Sequence, residues 1–539
     1  MHYDTIIRGG MIYDGTGAAP VAADVAVMGD KIAKIGDLSK DTAQRVLDAC
    51  GKAVTPGFID CHTHSDSTIW ANPLCQSSVR QGVTTQVVGN CGLMRPTVAK
   101  EHFDPAGDGI TCLYDLGGTE CPKGAMAAVL DKMDAMGASM NTAWMVGHNA
   151  LRIFAHLDTP DCSPEQFDVM EDLLREGMEA GFIGFSTGLE FVPGNVSKPE
   201  EVQKLAAIAA QYGGIYCSHM RDEGNYILQA VDEFLDVIRK THMRGSISHL
   251  NVKYDNGVPN EYLFVCMDKL RQARKEGLAV YTDMLPTCFA SGNADALLPP
   301  WLYESGWERA KEILADPEGR EKVKQDFSRY WRYLAAGQWD RLLYVKPPYL
   351  PKIHTTPFKD LVAQSGKDPF DCFLDIVQQA PDLDAMRRFE IQGIAFDEQT
   401  MVDTVVKDPI YLWMTDEATT LEEGAVAEVT ANLQYYMSMF WFFIRYVREL
   451  KALPLEQALT KVTSIPAAHF GLQGRGVLKE GNFADINVFD LEALRINATF
   501  SQPNRYCSGM DYVIVNGTIV LEHDEHTLAR AGRVLRHGK

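Results

Sequence analysis

Short apolar runs alternate with longer amphipathic stretches through the middle of this 539-residue chain. The stretches at 164–180, 198–212 and 225–241 have the length and hydrophobic periodicity of helices. The short apolar runs are typical of buried strands. They predict eight strands, at residues 54–62, 84–90, 143–148, 181–187, 214–219, 245–249, 278–283 and 410–416.

Eight alternations of strand and helix over roughly 400 residues favour a (β/α)8 TIM barrel enlarged by insertions. A long segment rich in Trp and Tyr, at 297–349, lies between the seventh and eighth predicted strands. We predict that it is a mostly helical insertion that roofs the site, with lid boundaries at about 288–350.

Both ends of the chain show a different pattern, in which short alternating runs are punctuated by turn residues. We therefore predict an α/β protein with a small β-sandwich domain formed from both termini, residues 1–55 and 477–539. The metal-dependent barrel would occupy residues 56–476.

Composition narrows the class of protein. A hydrophobic content of 46% with 23% charged residues indicates a soluble globular protein with a large core. The net charge of −21 argues against nucleic acid or an anionic membrane as the main partner, so we expect a small-molecule substrate. The sequence is compatible with a homo-oligomer and does not decide the oligomeric state. Twelve cysteines without paired spacing, and an N terminus without a secretory signal, predict a cytoplasmic protein.

Two histidines, His62 and His64, follow the first predicted strand. In extended chain, residues i and i+2 point to the same side, so the two rings would project together. Two neutral imidazoles side by side are suitable ligands for a divalent metal. Such a pair is also common among exposed or hydrogen-bonded histidines. Further ligands at other strand ends decide between these interpretations.

The chemistry of a (β/α)8 barrel sits at the carboxyl ends of its strands, and potential ligands recur there in this chain. Cys91 ends the second strand, where it is either a zinc thiolate or a small buried thiol. His219 and His249 end neighbouring strands; each alone would be a core histidine, but together they indicate ligands. Asp416 follows the last strand and is either a metal ligand that also accepts a proton or a helix N-cap. His148 is a further metal candidate, although we favour contact with a substrate carbonyl.

Several motifs carry a resemblance to a known family. The segment Pro-Gly-Phe-Ile-Asp-Cys-His-Thr-His-Ser-Asp at 56–66 resembles the first-strand motif of the amidohydrolase superfamily. More narrowly, the chain resembles the D-aminoacylase (N-acyl-D-amino-acid deacylase) family in order along nearly its whole length. The segments that match are 89–92, 146–152, 185–194, 218–224, 248–250, 483–490, 503–506 and 515–517.

The resemblance implies one zinc ion (Zn2+) held tightly by Cys91, His219 and His249, and a second, weaker site near His62 and His64. It also implies hydrolysis of the amide C–N bond of an N-acylated substrate by metal-activated water. Asp416 would be metal ligand, general base and general acid. His148 would then hydrogen-bond the developing oxyanion.

The chain departs from the family where relatives bind the substrate carboxylate. Gln434 stands in place of an arginine, Asn251 in place of a lysine, and Leu285-Pro-Thr287 replaces Tyr-Pro-Tyr. Neutral amides do not replace a bidentate guanidinium, although Arg221 or Lys253 could compensate. The predicted substrate-binding residues are Arg221, Asn251, Leu285, Thr287, Gln434 and Tyr436.

These departures predict a bulky, hydrophobic substrate that is neutral at this end. The apolar run at 435–443 either lines the cavity or is a buried barrel helix. A classical N-acyl-D-amino-acid deacylase, a metal-dependent lyase of the retro-aldol type and a non-enzymatic binder are the alternatives.

Overall fold

Eight parallel strands form one sheet in which every strand pairs with its neighbour in the sequence. We number them β1 to β8: Phe58–Asp60, Val83–Val88, Asn141–Gly147, Gly184–Gly188, Ile215–His219, Arg244–Ile247, Val280–Met284 and Tyr411–Trp413. The structure is a computed structural model that describes residues 1–94, 124–157, 159–191, 193–224, 226–251, 261–303, 306–328, 331–382, 385–386, 389–394, 398–424, 426–427 and 432–538.

The first and last strands meet just beyond their carboxyl ends. The backbone N–H of His64 donates to the carbonyl of Glu417 at 2.7 Å, and that of Asp416 donates to His62 at 3.1 Å. These bonds nearly close the sheet, so the predicted barrel is confirmed. Because they involve His62, His64 and Asp416, the closure itself brings three predicted ligands together.

The predicted strand at 54–62 is divided in the structure. Residues Ala53–Pro56 belong to a separate sheet, and the barrel strand begins at Phe58. A β-carbon on Gly57 would lie 2.2 Å from Oγ1 of Thr84, so only glycine fits where the chain passes between the sheets. The other seven predicted strands overlap their observed strands within a few residues.

Helices cover the outside of the barrel. The helix Pro164–Ala180 has the predicted bounds, and it begins with a capping box in which Ser163 and Gln166 bond each other's backbone N–H. The other helices around the barrel are Gln76–Val79, Ala125–Met136, His148–Phe154, Pro199–Gln211, Ile227–Thr241, Glu261–Lys275, Gln434–Trp441, Leu455–Thr460 and Ser464–Phe470, with a π-helix at Phe442–Glu449.

The segment between β7 and β8 has a hydrophobic core of its own, which includes Trp331, Phe373 and Phe389. It contains a three-stranded antiparallel sheet that the prediction of a mostly helical insertion did not include. Whether the segment roofs the site stays a prediction. Its strands are Phe289–Asn293, Leu342–Lys346 and Glu390–Ile394, and its longer helices are Trp307–Ala315, Pro317–Gln325, Phe358–Ser365 and Pro369–Gln378.

Both chain termini contribute to one nine-stranded sheet. Its two parts join where Ala53–Pro56 pairs antiparallel with Ile486–Phe489. A small β domain built from both termini is thus confirmed, whereas the exact domain boundaries stay a prediction. The remaining strands are His2–Ile12, Val21–Met28, Lys31–Gly36, Thr42–Asp48, Met510–Val515, Thr518–Glu522 and Glu525–His526.

Within the described ranges, every helix is too short or too polar to cross a membrane.

Candidate metal centre

All six predicted ligand positions lie at the carboxyl end of the barrel, in the last residue of a strand or in the turn that follows it. Four of these side chains are buried, and about a quarter of the His64 and Asp416 side chains is exposed. The positions are His62 and His64 after β1, Cys91 after β2, His219 at the end of β5, His249 after β6 and Asp416 after β8.

Cys91 lies in the middle of the group. Its Sγ is 3.2 Å from Nε2 of His62 and 3.6 Å from Nε2 of His249. With Asp416 these residues form a set in which one donor atom from each lies within 4.8 Å of all the others. A thiolate, two imidazoles and a carboxylate at such distances fit a tetrahedral divalent cation, and the thiolate favours zinc among the common ions.

The remaining two residues, His219 and His64, each contact one member of this set. His219 Nδ1 lies 3.0 Å from His249 Nε2, and His64 Nε2 lies 3.1 Å from Asp416 Oδ1. The structure therefore brings together all six residues that the sequence singled out. Six donors in one cluster are enough for one fully ligated ion and a second, less completely ligated one.

Each of three histidines has a carboxylate behind it. His62 Nδ1 is 3.3 Å from Asp283, His219 Nε2 is 3.0 Å from Glu190, and His249 Nδ1 is 2.5 Å from Glu223. In every case the other ring nitrogen faces the cluster. Such a contact fixes the ring orientation and the tautomer, which prepares the facing nitrogen to bind a cation.

Sequence reasoning missed Glu190 and Glu223 as site residues. Their contacts depend on how the loops after β4 and β5 fold, which no local pattern reveals. The available signal was their position inside two of the motifs that carry the family resemblance, 185–194 and 218–224. Asp283 is the last residue of the seventh predicted strand, 278–283, and the sequence alone assigns it no role.

Three of the ligand positions have a left-handed backbone. The φ angles are 52° at Cys91, 35° at His249 and 56° at Asp416. Non-glycine residues adopt this conformation rarely, and where they do the surrounding structure enforces it. At each of these residues the backbone leaves the extended conformation of the strand that precedes it.

The electrostatics of the cluster favour the ionised forms of its two acidic residues, Cys91 and Asp416. Burial alone would raise the pKa of the Cys91 thiol, but the neighbouring His62, His219 and His249 bring it well below its usual range. Burial likewise opposes ionisation of Asp416, yet His62 and His64 hold its pKa well below the ordinary value. The surrounding imidazoles therefore favour the ionised forms of Cys91 and Asp416, which are the forms that bind a metal ion.

His148 does not join the cluster. Its ring is fully enclosed, and Nε2 lies 2.7 Å from Glu201, which also accepts a hydrogen bond from Arg152 at 2.7 Å. Burial lowers the pKa of His148, although Glu201 opposes this effect. The ring has no exposed surface for a substrate carbonyl, so the geometry does not support the oxyanion role, and His148 belongs to a buried hydrogen-bonded group with Glu201 and Arg152.

The polar atoms of Gln434 are directed to the protein. Its Nε2 donates to Oγ1 of Thr287 at 2.9 Å and to the carbonyl of Phe289 at 3.0 Å, and Gln434 is 1% exposed. Thr287 is fully buried and donates to the same carbonyl at 2.7 Å. Both side chains thus tie the chain after β7 to the helix Gln434–Trp441 and do not act as substrate donors.

Arg221 is also occupied. Its guanidinium makes two bonds to Glu233, of 2.9 and 2.8 Å, and a third to the carbonyl of Asn195 at 3.2 Å. Asn251 donates from Nδ2 to the carbonyl of His249 at 2.6 Å. Its Oδ1 is a buried acceptor with no hydrogen-bond partner among the residues that the structure describes. Lys253 lies outside the described residues.

The last two predicted substrate contacts are core residues. Tyr436 is fully buried, and its hydroxyl bonds Thr420 and the carbonyl of Leu421. Leu285 packs in the cluster that includes Ile59 and Met145. The apolar run after Tyr435 is a buried helix, which packs on barrel strands through the ring pairs Phe58–Phe443 and Trp413–Phe442, each 4.8 Å apart.

A parallel eight-stranded barrel with imidazole, thiolate and carboxylate donors at its carboxyl end defines a class of metal-dependent enzymes. The model of the amidohydrolase family matches residues 45–280 and 416–521. The chain is 31% identical to a D-aminoacylase from Alcaligenes xylosoxydans xylosoxydans over 535 residues, which cover 99% of this chain and 97% of that protein.

Two further relatives agree. An N-acyl-D-glutamate deacylase from the same organism is 31% identical over 99% of this chain and 96% of its own length. The structure of N-acyl-D-glutamate deacylase from Bordetella bronchiseptica, complexed with zinc and a phosphonate inhibitor, superposes with a TM-score of 0.77 at 28% identity, covering 99% of this chain and all of that one. The chain therefore belongs to the amidohydrolase family, within its D-aminoacylase group. It is a metal-dependent hydrolase of carbon–nitrogen bonds other than peptide bonds.

Proposed function

We propose that this protein is a zinc-dependent amidohydrolase that cleaves an N-acylated, hydrophobic substrate lacking the carboxylate of an N-acyl-D-amino acid. The solved relative from Bordetella bronchiseptica contains zinc, and the donor set of this chain suits the same ion. Cys91, His219 and His249 would hold the tightly bound ion, and His62 and His64 the weaker one.

The protein groups around the ion carry out the proton transfers. When bound, zinc supplies Lewis acidity and lowers the pKa of a coordinated water. Asp416 is held by His62 and His64 through contacts of 3.1 Å each and is directed to the cluster. It would accept the proton of the attacking water and pass it to the leaving nitrogen.

One observation carries the proposal of a neutral substrate: both donors of Gln434, the residue in the position of the family's arginine, are bound within the protein. Arg221, one of the two alternatives that the sequence offered, is paired with Glu233. At Asn251 the unpaired atom is an acceptor, and a carboxylate would be repelled by it. A neutral group, or one with an N–H donor, suits these positions better.

Hydrophobic character of the substrate is supported by aromatic rings beside Gln434. Phe289, whose carbonyl Gln434 binds, packs against Phe500 at 5.1 Å and against Trp441 at 6.1 Å. Tyr344 from the insertion stacks on Phe500 at 5.5 Å. These rings are partly exposed and offer an apolar surface to a bulky acyl group or leaving group.

A matched pair of substrates tests the proposal. The zinc-loaded protein is assayed with N-acyl-D-leucine and with the corresponding N-acyl-D-leucine amide, which differ only in the carboxylate. We expect a higher kcat/KM for the amide and a further increase as the acyl group lengthens. A higher kcat/KM for the free acid would contradict the proposed specificity and favour a classical N-acyl-D-amino-acid deacylase.

A further inference from the structure

The turn that carries Cys91 is bound by one side chain of the neighbouring strand β4. The hydroxyl of Ser186 donates to the carbonyl of Gly89 at 2.5 Å and accepts the backbone N–H of Gly92 at 3.1 Å. These two bonds lie on either side of Cys91 in the sequence. Ser186 is fully buried, so water does not replace it as a partner.

The backbone of β4 contacts the same turn. A β-carbon on Gly188 would lie 2.0 Å from the carbonyl oxygen of Cys91, so the strand and the turn are in direct contact there. Asn149 fixes the end of the strand, since its Oδ1 accepts the N–H of Gly188 at 3.3 Å and its Nδ2 donates to the Gly188 carbonyl at 3.2 Å. The turn therefore packs against a strand end that Asn149 binds through two hydrogen bonds.

Cys91 needs such support because its backbone is left-handed, with φ of 52°. If the turn relaxed to an ordinary conformation, Sγ would move away from His62 and His249. The Ser186 hydroxyl, which bonds the Gly89 carbonyl and the Gly92 N–H, opposes that relaxation directly. Its effect should therefore fall on the position of one metal ligand and much less on the barrel as a whole.

We propose that Ser186 is a positioning residue for the metal site, which acts by holding the Cys91 turn in its ligating conformation. This inference rests on the proposed role of Cys91 as a zinc ligand. Ser186 touches neither the substrate nor the reacting atoms in this assignment. It determines how well the thiolate is placed before the ion arrives, and so contributes to zinc affinity.

The chain offers a matched control in Ser246. In the sheet register Cys217 pairs with Ser186 on one side and with Ser246 on the other, so both serines belong to one layer of the barrel. Ser246 is fully buried as well, but within the described part of the chain its hydroxyl has no hydrogen-bond partner. Ser246→Ala thus removes the same atom from the same depth without touching the Cys91 turn.

The test compares zinc affinity with the stability of the metal-free protein. Wild type, Ser186→Ala and Ser246→Ala are stripped of metal, titrated with zinc against a competing chelator, and unfolded thermally in the metal-free form. The cobalt-substituted proteins are also compared by the absorption of the thiolate-to-metal charge-transfer band. We expect Ser186→Ala to bind zinc about tenfold or more weakly and to show an altered thiolate band. Ser246→Ala should match the wild type in both.

The possible outcomes separate the inference about Ser186 from the proposed function. Wild-type zinc affinity in Ser186→Ala would overturn the inference and leave the proposed function standing. A Ser186→Ala protein that fails to fold, or whose metal-free stability falls by as much free energy as its zinc binding does, would assign Ser186 to barrel stability and also overturn it. A wild-type protein that binds no zinc would instead overturn the proposed function.

Discussion

The ligand positions and the recognition positions lie at the same end of the barrel, but they differ in where their polar atoms point. Cys91, His249 and Asp416 turn their donors to one another across a short gap, held by left-handed backbone turns. Gln434 instead donates to the hydroxyl of Thr287, and both side chains donate to the carbonyl of Phe289. The comparison suggests that the hydrolytic apparatus was retained while the contacts that select the substrate were rebuilt.

The largest effect is expected from Asp416→Asn. The amide keeps the shape of the side chain but is a poor proton acceptor, so kcat should fall about 10²–10⁴-fold. Steady-state kinetics on the best substrate, with zinc content measured in parallel, checks this. Asp403→Asn, which changes an exposed carboxylate, should leave kcat unchanged. An Asp416→Asn enzyme with wild-type kcat would remove Asp416 from the mechanism.

A smaller effect is expected from Glu223→Gln, which replaces the carboxylate behind His249. Zinc affinity should fall about 10–100-fold because the ring loses its charged hydrogen-bond partner. Chelator competition measures it, with Glu200→Gln, at an exposed position of the helix Pro199–Gln211, as the control. Equal affinity in the two variants would mean that Glu223 does not support the metal site.

Among the recognition positions, Gln434→Leu should lower the free energy of unfolding and leave zinc affinity unchanged. The substitution removes two buried hydrogen bonds and leaves their acceptors unpaired, which destabilises the fold by about 1–3 kcal/mol. Denaturant unfolding measures this, and Gln457→Leu, at an exposed position of Leu455–Thr460, is the control. If zinc affinity fell with Gln434→Leu, the proposed separation between the two regions would be wrong.

The smallest effect concerns pH. Burial opposes protonation of His64, but Asp416 and Cys91 raise its pKa from 6.5 to about 9 in the folded, metal-free protein. A raised pKa stabilises the fold fully below about pH 6.5, and this contribution disappears as the pH rises through about 9. The free energy of unfolding without metal should therefore decline across this range, and less so in His64→Gln. Parallel declines in the two proteins would contradict the assignment.

The sequence could predict that the six ligand candidates come together because each lies at the end of an apolar strand or shortly after it. In a parallel barrel that local fact is enough to place distant residues such as Cys91 and Asp416 together. The contact between Gln434 and Thr287 spans 147 residues and depends on how the insertion begins, so no local pattern indicated it. The sequence showed that these positions differ from the family pattern. It did not show that their side chains bond to each other inside the protein.

The same limit explains His148 and the split first strand. His148 stands at a strand end like the ligands, and only its distant partner Glu201 reveals that it is enclosed. The run at 54–62 is continuous in hydrophobicity, and the close approach of Gly57 to Thr84, where the chain passes between the two sheets, exists only in three dimensions.

The central claim is that residues from different strands converge on one metal site, and anomalous diffraction from a zinc-loaded crystal tests it most directly. Data collected on both sides of the zinc absorption edge locate the ion without reference to the protein. The account predicts the strongest peak within bonding distance of Cys91, His219 and His249, with any second peak beside His62 and His64. A fully loaded crystal with no zinc peak among these side chains would contradict it.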